Sequence, residues 1–89
     1  MIDTRGKLYQ RIGEVRIQRE DWEEAIKALK SALDKGGLQN PGQVKLLLGI
    51  AYFSLKKNGE AKAWFIKASE HQQTREQAER WITHLTTQT

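Results

Sequence analysis

Eighty-nine residues, 38% hydrophobic and 29% charged, suffice for one small domain with a modest core, and the lack of cysteine excludes disulfides, thiol nucleophiles and thiolate metal sites. The net charge of +4 comes from 15 basic and 11 acidic side chains mixed along most of the chain, the pattern of solvated helix faces rather than of a dedicated polyanion binder. The longest apolar run, Leu46 to Phe53, is far too short to span a bilayer, so no membrane insertion is expected, and the opening residues Met1-Ile2-Asp3-Thr4 lack signal-peptide character.

Strand signals are weak and helix punctuation is strong, which predicts an all-α chain of five helices. Asp3 is placed to cap a first helix ending near Gln18. Asp21-Trp22-Glu23-Glu24 reads as an acidic N-cap with Glu at the third helical position. The apolar residues Trp22, Ala25, Ile26, Leu29, Ala32 and Leu33 then recur at helical spacing until Gly36-Gly37. Asn40-Pro41-Gly42-Gln43 supplies a cap, a proline at the first helical position and Gln at the third, opening a helix to about Lys56. This third helix is apolar nearly all round, so it is expected in the middle of the fold. Asn58 is placed to cap a fourth helix through Glu70. Thr74-Arg75-Glu76-Gln77 forms a capping box for a fifth near Leu85, whose single stripe of Ala78, Trp81, Ile82 and Leu85 is that of a terminal cap.

Superposing the first helix pair on the second at an offset of thirty-six aligns Gly13 with Gly49, Ala25 with Ala61, Leu29 with Phe65 and Ala32 with Ala68. A glycine within a helix costs roughly 1 kcal/mol against alanine, so both are expected at close helix contacts, with Ala25 and Ala61 small on the facing side.

These residues resemble the tetratricopeptide repeat family, whose unit carries Leu-Gly-x-x-Tyr in its first helix and Ala-x-x-x-Phe-x-x-Ala in its second. Leu48-Gly49-x-x-Tyr52 and Ala61-x-x-x-Phe65-x-x-Ala68 fit, while the first copy keeps Tyr9, Ile12, Gly13, Ala25 and Ala32 but has Arg16 and Leu29 where Tyr and Phe are usual. The resemblance implies a TPR-like α-solenoid of antiparallel helix-turn-helix repeats: repeat one over 4–37, repeat two over 40–71 and a capping helix over 74–86. The family unit is two residues shorter than the offset, and the extra residues are assigned to the connection between Gly36 and Gly42.

No catalytic constellation emerges, and no cofactor or metal site is expected. His71 and His84 are far apart without acidic partners, Glu20, Asp21, Glu23 and Glu24 suit helix capping, and Gly36-Gly37 lacks the context of a nucleotide loop. Trp22, Trp64 and Trp81 are read as packing residues. The family resemblance implies binding of a peptide or protein surface in a concave groove. On this alignment the groove is offered Lys7, Gln10, Glu14 and Ile17 from repeat one and Gln43, Leu46, Ile50 and Phe53 from repeat two. Gln10 and Glu14 depart from the carboxylate clamp that grips acidic C-terminal peptides. Two alternatives remain open: binding of nucleic acid or an anionic surface by Lys56, Lys57, Lys62 and Lys67, and purely architectural self-assembly. The closing stretch is also similar to the C-terminal end of bacterial tetratricopeptide proteins of TonB-type systems, which implies an envelope-associated, periplasmic part of a larger protein. The apolar residues Leu8, Tyr9, Ile12, Val15 and Ile17 on the first helix raise the expectation of preceding repeats in a longer chain, or of a homodimer through the first repeat.

Overall fold

The helix punctuation becomes five α-helices in the computed structural model, which describes residues 4–87: α1 (Arg5–Gln18), α2 (Trp22–Lys35), α3 (Pro41–Ser54), α4 (Asn58–Ser69) and α5 (Arg75–Thr87). Among the described residues no strand forms, and each helix packs against the next in chain order. Asn40 caps α3 as expected, its side-chain oxygen accepting a hydrogen bond from the Gln43 N–H at 3.2 Å, with Pro41 in the first turn. Two other expected caps work differently. Asp21 precedes α2 but spends its carboxylate on the Arg16 guanidinium at 3.1 Å, pinning the α1–α2 turn. The Thr74 hydroxyl donates backwards to the Ala68 carbonyl at 2.8 Å, satisfying the end of α4. Lys57, not Asn58, stands at the cap position of α4, and the cap expected at Asp3 lies outside the described residues.

The turns α1–α2 and α3–α4 have the same hydrogen bonds thirty-six residues apart. Asp21 N–H donates to the Arg16 carbonyl (2.9 Å) and Glu20 N–H to Ile17 (3.0 Å); Lys57 donates to Tyr52 (2.9 Å) and Lys56 to Phe53 (2.9 Å). Both are six-to-one helix terminations that require a left-handed residue, and the chain uses Glu20 (φ 61°) and Lys56 (φ 63°) rather than glycine.

Between paired helices, Gly13 meets Leu29 and Gly49 meets Phe65: a Cβ on Gly13 would lie 2.6 Å from Leu29 Cγ, and one on Gly49 2.6 Å from Phe65 Cδ1. The glycines therefore seat the largest fully buried side chains of the facing helices. Ala25 and Ala61, one turn before Leu29 and Phe65 on the same helix faces, are wholly buried. Gly6 and Gly42 are a second such pair. Gly6 lies beneath the Ala32 and Gly36 carbonyls at the end of α2, and Gly42 beneath His71 and Thr74 after α4. With residue 6 near 32 and 13 near 29, and residue 42 near 71 and 49 near 65, both pairs run antiparallel.

As expected, α3 occupies the middle, with Val44, Leu48 and Ala51 wholly buried beside Phe65, Leu29 and the alanines of α2 and α4. α5 closes the far side, burying Ala78 and Leu85 and stacking Trp81 on Phe65 at 5.0 Å and 6°. The connections 36–40 and 70–74 are equally long, so the extra two residues of the first pair are not in the loop. They lengthen α2, which has 14 residues against 12 in α4. The physical reason lies at the helix ends: α2 continues past Ala32 to a left-handed Gly36. α4 is stopped after Ala68 by the Thr74 hydroxyl and by Arg75, which donates to the Ser69 carbonyl at 3.0 Å.

Candidate functional site

One side each of α1, α3 and α5 lines a cleft of the molecule. Four positions recur there at the spacing i, i+3, i+4, i+7: Lys7, Gln10, Arg11 and Glu14 on α1, Gln43, Leu46, Leu47 and Ile50 on α3, and Gln77, Arg80, Trp81 and His84 on α5. The first two sets are thirty-six residues apart and the last two thirty-four. Such spacing places all four on one helical face, so three helices present equivalent surfaces with different chemistry.

The α3 and α5 sets line an open cleft of about 590 Å³. Its floor is Leu46, Leu47, Ile50 and Trp81, and its rim is Gln43, Gln77, Arg80 and His84. Leu46 is buried at 5% exposure, so it supplies floor rather than a protruding contact. Phe53 backs two of the lining residues, with its ring edge-on to Trp81 at 5.2 Å and to His84 at 5.9 Å. The Arg80 guanidinium is held by Glu76 at 2.6 Å along the exposed side of α5. The α1 set, with Gln39 and Asn40, lines a smaller polar cleft of about 240 Å³, where Gln10 donates to the Glu14 carboxylate at 3.1 Å.

The eight candidate residues are thus divided. Gln43, Leu46 and Ile50 share the apolar cleft, Lys7, Gln10 and Glu14 the polar one, and half-buried Ile17 and Phe53 border neither as lining. The α5 residues were missed by sequence reasoning, which took that helix only as a cap. The spacing common to Gln43, Leu46, Leu47, Ile50 and Gln77, Arg80, Trp81, His84 was the available signal.

A third cleft of about 370 Å³ lies at the α1–α2 turn, lined by the acidic residues Glu20, Asp21, Glu23 and Glu24 with Trp22, Lys27 and Leu55. His71 accepts a hydrogen bond from the Lys45 ammonium at 2.9 Å through Nε2. Lys67 lies over the Trp64 ring at 4.3 Å, leaving Lys56, Lys57 and Lys62 on the exposed surface. Among the described residues no group of His, Asp and Glu is arranged to hold a metal ion, and no helix is long and apolar enough to cross a membrane. No family model, curated protein or solved structure matches the chain.

Proposed function

We propose that the chain is a protein-interaction module of the tetratricopeptide-repeat kind, which takes a peptide segment into the concave side formed by α1, α3 and α5. The observation that carries this reading is the fourfold side-chain pattern repeated on the three helices, with its apolar floor between α3 and α5. A concave apolar floor with a few polar groups at its edge suits one or two apolar anchor side chains, while Gln43 and Gln77 offer amide donors and acceptors to an extended backbone. The polar α1 cleft adds a stretch for charged or amide side chains of the same segment.

The test is selection of peptides from a displayed random library on the wild-type chain, with counter-selection on Gln77→Trp. This change blocks the cleft from an exposed position without entering the core. Enriched peptides should carry an apolar anchor and shift the amide resonances of Gln43, Ile50, Gln77 and His84. Peptides binding both chains equally, or shifting residues elsewhere, overturn the assignment. Tight DNA or RNA binding that falls steeply with salt, with no peptide enriched, would favour the lysine surface instead.

A further inference from the structure

The outer face of α1, opposite the side packed on α2, is apolar and uncovered. Leu8 is 57% exposed and Ile12 and Val15 are each 40% exposed, and their spacing places them on one stripe. Thirty-six residues on, the equivalent positions are Val44, Leu48 and Ala51, each 0% exposed on the face of α3 turned from α4 towards α2. The molecule therefore shows what covers such a stripe: an α-helix.

The surroundings of the two stripes differ in a way that identifies the occupant. Beside the buried stripe of α3 stand Leu47 and Leu55, and at the equivalent positions of α1 stand Arg11 and Arg19. Arg11 lies three residues from Leu8 and four from Val15, and Arg19 four from Val15, so both border the apolar strip. The one carboxylate within α1, Glu14, is on the cleft side with Gln10. Arginines at the edge of an apolar strip suit a separable contact, kept soluble when open and closed by opposite charge. Two copies pairing through α1 would set these cations against each other.

We infer that the Leu8–Ile12–Val15 face binds an amphipathic helix of another protein, one whose apolar stripe is flanked by carboxylates. The helix lies along α1 as α2 lies along α3. Its apolar residues cover Leu8, Ile12 and Val15, and its carboxylates pair with Arg11 and Arg19.

The probe is a labelled peptide of segment 22–35, the helix that covers the equivalent stripe, carrying Lys27→Glu, Lys30→Glu and Lys35→Glu; the unmodified segment is its comparison. Fluorescence anisotropy with the full chain should show saturable binding of the acidic peptide and about tenfold weaker binding of the unmodified one. Ile12→Asp should weaken the acidic peptide, and so should Arg11→Glu with Arg19→Glu, in each case by about tenfold or more. All three positions are exposed, and unchanged circular dichroism verifies that the variants fold. Equal affinity for both peptides, insensitivity to the arginine changes, or binding of neither peptide overturns the inference. So does a chain dimer that Ile12→Asp dissociates and the acidic peptide does not compete with, or adsorption to phosphatidylserine vesicles in place of peptide binding.

Discussion

Gly49 and Phe65 are two halves of one fitting: the ring occupies the volume that any side chain at residue 49 would need. Gly49→Leu should therefore cost about 1–3 kcal/mol, read as a lower urea midpoint, and Gly13→Leu should behave alike against Leu29. An unchanged midpoint in both would show that the helix pairs approach differently. At the turns the direction reverses. Glu20 and Lys56 hold left-handed backbone that disfavours side chains, so Glu20→Gly and Lys56→Gly should each raise stability by roughly 0.5–1 kcal/mol after the extra freedom of glycine in the unfolded chain is offset. Glu20 and Leu55 line one cleft, so the two turns stand close together and a double variant measures the coupling between them. The glycines were legible in the sequence because a helix tolerates them only for a reason. That Leu29 and Phe65 supply the nearest atoms was not, because spacing along one helix does not say which residue of the facing helix arrives opposite.

Among the helices, α5 shows most plainly where sequence pattern runs out. Its stripe of Ala78, Trp81, Ile82 and Leu85 was legible from helical periodicity, and all four pack on the core, Trp81 and Ile82 only partly buried. Its kinship with α3 was hidden because the offset changes from thirty-six to thirty-four, and because Leu46, Leu47 and Ile50 are replaced by Arg80, Trp81 and His84. The change of offset arises in the last turn of α2, a length difference that helix propensity alone does not specify. Thr74 illustrates the same limit, since its hydroxyl is equally suited to α5 and to the open carbonyls of α4, and only their proximity decides. Because Trp81 is both floor of the cleft and cover of Phe65, Trp81→Ala should lower stability by about 2 kcal/mol and also abolish peptide binding. Thermal denaturation followed by near-ultraviolet circular dichroism separates these effects from those of Gln77→Trp, which should leave the melting temperature in place.

Across the five helices, the core of the described residues is built from apolar contacts. The ion pairs Arg16–Asp21, Lys27–Glu24 and Arg80–Glu76 are all solvent-exposed, so screening them with about 1 M NaCl should change the unfolding free energy by less than about 1 kcal/mol in a urea titration. A large loss on adding salt would mean that charge has a greater share in the fold. Burial is also unevenly distributed. Only Gly6 and Gly13 of α1 are fully buried, whereas α3 sinks Val44, Leu46, Leu48, Ala51 and Tyr52. α1 is held by half-buried side chains on one flank, and its detachment exposes far less apolar surface than opening α3 would. Amide deuterium uptake should therefore be fastest, among the helices, along residues 8–17 and slowest along 44–52, because opening α1 requires only part of the global unfolding free energy. A helix docked on α1 would bind only its closed form, and the slowing of exchange there would measure that partner's grip on an otherwise loosely held edge of the fold.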